Sequence, residues 1–172
     1  MGASGFPVFV GTTTEIWTAT EYSTNYSTPR VGAWFLTPDT VLKWIFLTNT
    51  GTTAITANLI CTALTTDPST FLVRATAGNS NVEPFAGARP SSATSLTQST
   101  YGWFQIGGTA TLTADAAGTA ANTGVVVSNA TVGNVEDMPN TGVGAQASFA
   151  VAQTTTATGT VVVNIFKSIW GV

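Results

Sequence analysis

The sequence predicts an all-β fold: a small antiparallel β-barrel or sandwich with a bent central strand and an extended N-terminal arm. Three observations predict it. Charged residues make up only 8% of the 172 residues, where soluble domains carry about 25%. Thr, Ser, Asn and Gly take their place, which favours strands and turns. Apolar and polar side chains alternate with period two in several stretches, and no segment carries the i, i+3, i+4, i+7 stripe of an amphipathic helix over three turns.

The organising stretch is Tyr101–Thr113, YGWFQIGGTATLT. Phe104, Ile106, Ala110 and Leu112 fall on one side, and Gln105, Thr109, Thr111 and Thr113 on the other, the expected wet face. Gly107 and Gly108 interrupt the run. Paired glycines inside a strand mark a bulge or a sharp bend, so one long strand bent at its centre is expected here.

Residues 1–30 differ from the rest. They hold the apolar patch Phe6-Pro7-Val8-Phe9-Val10 and then a Thr-, Ser- and Tyr-rich stretch with Trp17, Tyr22 and Tyr26. Alternation is loose, and Pro7 and Pro29 bracket the segment. It reads as an edge strand or as an arm that packs on another subunit, with the arm preferred. Phe6, Val8, Phe9, Trp17, Tyr22 and Tyr26 are the candidate interface residues.

Residues 31–172 form a single β domain in this reading. Val41–Leu47 is an apolar run broken only by Lys43, read as an edge residue. Thr48–Gly51 is a turn signal, and the alternation from Ile55 to Ala63 predicts a hairpin with the preceding run. Cys61 lies on the apolar side and reads as a small buried hydrophobe. Phe71–Ala75 is a third strand. Residues 76–100 read as a loop-rich bridge with a short apolar insertion at Pro84–Gly87. After the long strand come Val125–Val127, a Gly-rich loop at 136–146, a short strand at Ser148–Gln153, and Val161–Phe166.

The chemistry is bounded by residue types. The chain has no histidine and one cysteine, which removes Ser-His-Asp triads, Cys-His dyads, His-dependent zinc sites and an internal disulfide. No enzyme activity, catalytic residue, cofactor or metal site is expected. Calcium coordination by Glu136 and Asp137 with Asn134 and Asn140 is the metal alternative, and a solvated loop is preferred to it. Glu15, Glu21, Glu83 and Asp115 are the other carboxylates weighed for a glycosidase pair, and nothing singles them out. The net charge of −3 gives no basic patch for nucleic acid, and no apolar run approaches the length of a membrane span.

Two stretches carry a resemblance. Ala86-Gly87-Ala88-Arg89-Pro90 is followed by Tyr101–Ala110, YGWFQIGGTA, and then by VVVSNATVGNVED at Val125–Asp137. With a final β run to Phe166, this piece resembles a broad group of tailed-bacteriophage virion proteins. Thr20–Gly51, with its TPD turn before an aromatic strand, is similar in layout to their opening. The resemblance implies a head decoration or cement protein. Such a protein sits on the outer surface of the virion capsid, contacts the major capsid protein and forms a homo-oligomer, most often a trimer. It implies no catalytic residues. The alternative is a receptor- or glycan-binding module of a tail or head fibre, for which Trp17, Tyr22, Tyr26, Trp34, Trp103 and Trp170 offer stacking surfaces.

Overall fold

The computed structural model describes residues 13–24, 29–36, 42–64, 71–75, 85–116, 118–138 and 148–169. Over these the chain is almost entirely β, as the sequence predicts. The strands are β1 (Ile16–Trp17), β2 (Trp34–Leu36), β3 (Lys43–Asn49), β4 (Ile60–Ala63), β5 (Leu72–Arg74), β6 (Phe85–Ala88), β7 (Thr100–Ala114), β8 (Gly124–Val127), β9 (Val135–Asp137), β10 (Ala150–Ala152) and β11 (Gly159–Ile165). One short helix, α1, covers Ala19–Thr24.

The strand β7 belongs to two closed circuits. Its first half pairs with β3 on one edge and touches β6 on the other, and β3–β5–β4–β6 completes a five-stranded ring. Its second half pairs with β11 on one edge and touches β9 on the other, and β11–β10–β8–β9 completes a second ring. Closure gives each strand of the two rings a neighbour on both sides, although β6 and β9 each meet β7 at a single residue pair.

The change of partner falls at the double glycine. Gly107 is the last residue paired with β3, and Gly108 is the first paired with β11. Opposite the bend the register shifts between Lys43 and Trp44, which leaves Ile106 without a partner on β3. That is a bulge, and it bends the bulged strand. Gly108 has φ +83°, the left-handed region that a β-branched residue rarely adopts.

Each ring has its own core. Ile45, Leu47, Cys61, Val73, Ala86, Phe104 and Ile106 fill the first. Leu112, Val125, Val127, Val135, Val161 and Val163 fill the second. Phe85, on the outer side of β6, stacks on Phe149 at 3.9 Å and 5° and joins the barrels.

Several expectations are corrected. Strands β3 and β4 do not form a hairpin. Strand β5 lies between them, parallel to β3 and antiparallel to β4. The connecting loop is instead tied to the distant residue Leu96, which pairs with Ile55 and accepts a 2.8 Å bond from Asn49 Nδ2. Phe85–Ala88 is a buried strand rather than an insertion in a loop. Glu136 and Asp137 lie on β9 rather than in a loop. Lys43 is not at an edge, since its backbone pairs with both Leu36 and Gly107. Gln105 is buried rather than wet, because the outer face of the first barrel is itself covered.

Candidate interaction surfaces

The cover is an aromatic layer. On the first barrel Ile45 and Leu47 point inward, so Trp44 and Phe46 point outward, as does Trp103 on β7. All three outward rings are nevertheless buried. Phe35 from β2 meets Trp103 edge-on at 4.9 Å, and Trp17 from β1 meets Phe46 edge-on at 5.1 Å. Tyr22 from α1 stacks on Tyr101 at 4.1 Å and 9°, and its hydroxyl accepts a 3.1 Å bond from the Val31 N–H. Offset and edge-on pairs of this kind contribute about 0.5–1.5 kcal/mol each beyond burial.

These contacts place two of the candidate interface residues. Trp17 and Tyr22 are half-buried against their own domain. Residues 16 and 17 are an edge strand on Gly102 and Tyr101. The helix that positions Tyr22 begins with a capping box. The Glu21 N–H donates to Thr18 Oγ1, and the Thr18 N–H and hydroxyl donate to the Glu21 carboxylate. These bonds hold the Glu21 carboxyl below the usual range. Phe6, Val8, Phe9 and Tyr26 lie outside the described residues, as does Trp170.

Arg89 locks the layer from beneath. It is the largest fully buried side chain. Its guanidinium donates to the carbonyls of Trp103 at 2.8 Å, Thr94 at 3.2 Å and Thr14 at 3.4 Å, and it lies 5.7 Å from the centre of the Phe104 ring. Burial pulls it down to about 10, so it stays charged at neutral pH. Gly102 makes room for it, since a Cβ there would sit 2.8 Å from Arg89 Nη1. The AGARP and YGWFQIGG stretches thus meet around one buried cation.

Among the described residues, two apolar surfaces are open. The first is β2, the end of the sheet path, which has a neighbour on one side only among the described residues. Trp34 and Leu36, flanking Phe35, are 47% and 49% exposed. The second is the outer wall of the second barrel. Val151 on β10 pairs with Gly124 on one side and Asn164 on the other. A Cβ on Gly124 would lie 3.7 Å from that of Met138, and Phe166 follows Asn164 by two residues on the same face. Met138, Val151 and Phe166 therefore form an exposed apolar row, with Phe166 57% exposed.

The carboxylates serve the fold. Asp137 accepts from the Ala120 N–H at 2.9 Å and from Thr123 Oγ1 at 2.5 Å. Buried Asp115 accepts from Ser128 Oγ at 2.7 Å. Glu136 accepts from Asn129 Nδ2 at 3.0 Å. Burial and a hydrogen bond to Asp115 push its carboxyl up. Among the described residues no three of His, Cys, Asp and Glu come together. Asn134 donates to the Ala114 carbonyl, and Asn140 lies outside the described residues, so the calcium alternative gains nothing. Glu15 and Glu21 lie far along the chain in the segment before β2, and Glu83 is outside the described residues. Cys61 is buried, its thiol 3.3 Å from the Gly87 carbonyl, and burial pushes the thiol up, which suits a packing role.

Sequence reasoning missed Arg89, Leu36 and the Met138–Phe166 row. A lone Arg before Pro90, in a chain with five basic residues, was the available signal for Arg89. No known protein-family model and no curated protein sequence matches the chain.

Proposed function

We propose that the chain is a structural protein of a tailed-bacteriophage particle. In this reading it is a decoration protein on the outer surface of the head, bound to the major capsid protein and repeated at equivalent positions of the lattice. The observation that carries the reading is the exposed apolar row Met138–Val151–Phe166 on the wall of a closed barrel. A closed barrel offers that row on a rigid support, and apolar surface rimmed by polar residues marks a protein-binding face. The sequence resemblance supplies the class of partner.

The mechanism is mass action. A copy that binds the assembled lattice and not free capsid subunits lowers the free energy of the assembled state. Burying roughly 800 Å² on its own side, against several neighbours, multiplies the effect over the shell. Nothing in this requires a reactive side chain. The half-exposed Trp34 favours, as a second reading, a fibre module that stacks on sugars.

The test is add-back to phage heads that lack the protein. The intact chain is expected to co-sediment with heads and raise the temperature at which they release DNA. A Phe166→Asp, Val151→Asp variant is expected to stay folded and lose binding. Heads that neither bind the chain nor gain stability overturn the proposal, and binding on a glycan array in that case supports the fibre reading.

A further inference from the structure

The second barrel holds two neighbouring carboxyl groups and no cation. Ala114 of β7 pairs in parallel with Val135 of β9, and the Asp115 N–H donates to the Val135 carbonyl at 3.0 Å. Parallel strands keep successive residues in step and on the same face. Asp115 and Glu136, one residue further along each strand, therefore stand side by side on backbones about 4.8 Å apart. Asp115 is buried and Glu136 partly so. Between Arg89 and Lys167 the chain has no Lys or Arg, so none of β7 to β11 offers a counter-charge. Asp137 points to the opposite face of β9 and is taken up by the Ala120 N–H and Thr123 Oγ1. Two carboxylates placed side by side in this way repel, and such a pair retains a proton. Glu136 carries it: burial first, and then its bond to Asp115, push its carboxyl up.

The pair is built into a turn that holds on to the first barrel. Residues 128–134 join β8 to β9. Ser128 Oγ donates to Asp115 at 2.7 Å and accepts from the N–H groups of Ala130 and Thr131, each at 3.1 Å. Asn129, the next residue, donates from Nδ2 to Glu136 at 3.0 Å. Consecutive residues of the turn are thus tied to the two carboxyls. At the far end of the turn the Gly133 carbonyl accepts from the Ile60 N–H of β4 at 2.8 Å. Gly133 lies so close to Leu59 that a Cβ on it would be 3.1 Å from Leu59 Cδ1. Residues 55–63 carry no charged side chain, so this part of the first barrel brings no charge to the pair.

We propose that the proton shared by Asp115 and Glu136 is a latch between the barrels. While it is present, turn 128–134 stays clasped on Ile60. When it is lost the two anions part, the turn opens and the second barrel lets go of β4. The inference goes beyond the proposed function and holds whether or not the protein sits on a phage head. Its sign is fixed by the titration of Glu136, which is ordinary in an opened, solvated turn and raised in the clasped one. Opening therefore releases a proton at pH values between the two, and becomes about tenfold easier per pH unit across that window. Below the ordinary glutamate range the latch is closed, and above the raised value the effect levels off.

The experiment is amide hydrogen exchange on the full chain, resolved by residue with NMR from about pH 4 to about pH 8 and corrected for the intrinsic exchange rate. The Ile60 amide reports the clasp. The Leu96 amide, bonded to the Ile55 carbonyl at 2.9 Å, reports the body of the first barrel. Ile60 protection is expected to fall by about tenfold per pH unit through the Glu136 window and then to level, with Leu96 better protected than Ile60 throughout. Glu136→Gln keeps a donor toward Asp115 and an acceptor for Asn129, and is expected to hold Ile60 at its low-pH protection at every pH. Asp115→Asn removes the neighbouring charge and keeps an acceptor for Ser128, and is expected to move the fall to lower pH. Wild-type Ile60 protection that does not change with pH overturns the inference. So does a fall of the same size in Glu136→Gln, or one left in place by Asp115→Asn. Equal protection of Ile60 and Leu96 at every pH overturns it as well, since the protein would then open as a whole and not at the turn.

Discussion

Gln105 reaches across the bend of β7 to Thr109, donating from Nε2 to the Thr109 carbonyl at 2.8 Å. The same amide donates to the Gly107 carbonyl at 3.0 Å. One buried side chain therefore spans the point where β7 leaves the first barrel and enters the second. Gly107 is paired with Lys43 on β3 and Thr109 with Asn164 on β11, so the Gln105 amide ties one residue of each barrel's ladder together across the bulge.

Gln105→Leu is expected to destabilise the protein by about 1–3 kcal/mol, because it removes both hydrogen bonds of a buried amide across the bend. Urea denaturation followed by tryptophan fluorescence measures it. An unchanged midpoint would mean that water or backbone relaxation replaces the amide.

Gly108→Val is expected to do more harm than Gly107→Val. Gly108 has φ +83°, and holding a β-branched residue there costs on the order of 1–3 kcal/mol of strain. Gly107 lies outside the left-handed region and is buried at the junction. Thermal melts by circular dichroism should rank Gly108→Val below Gly107→Val, and the opposite order would place the bend elsewhere.

The long bent strand was legible because alternation and a double glycine are local signals. The strand β6 was not. Phe85–Ala88 is buried on both faces, so it has no alternation to read, and its pairing with β4 and β7 is set by distant residues. The β3–β4 hairpin failed for a related reason: a turn signal after Asn49 does not reveal that β5 will take the place between them. The helix α1 is too short for periodicity, although Thr18-Ala19-Thr20-Glu21 spells its capping box. For the open surfaces, composition could not separate Trp34, which is exposed, from Trp44 and Trp103, which are buried. That difference arises only from the packing of residues 13–24 and 31–36 over the first barrel.

Arg89→Met is expected to cost about 3 kcal/mol or more. Met matches the volume of the stem, yet the carbonyls of Trp103, Thr94 and Thr14 lose their donor together. Arg89→Lys is expected to recover only part, because one ammonium cannot imitate the planar fork. Stability equal to wild type for Lys would show that charge alone matters at this position.

Glu136 should make stability fall as pH rises. Its carboxyl is raised in the folded protein by burial and by its bond to Asp115. Its contribution is therefore fully present below the ordinary glutamate range and is lost as pH climbs through the raised value. Glu136→Gln keeps an acceptor for Asn129 and adds a donor toward Asp115. It is expected to be at least as stable as wild type at pH 7 and to flatten the slope above pH ~5. Denaturation at stepped pH, with an identical slope for both proteins, would contradict this.

The proposed place of the protein on the outside of a phage head is tested most directly by cryo-microscopy of intact particles recovered from the source that encodes the chain. The prediction is density for two fused barrels on the outer capsid surface, repeated with the lattice, with the Met138–Val151–Phe166 wall facing the major capsid protein. Density confined to a tail or fibre, or particles that lack the protein altogether, would contradict it.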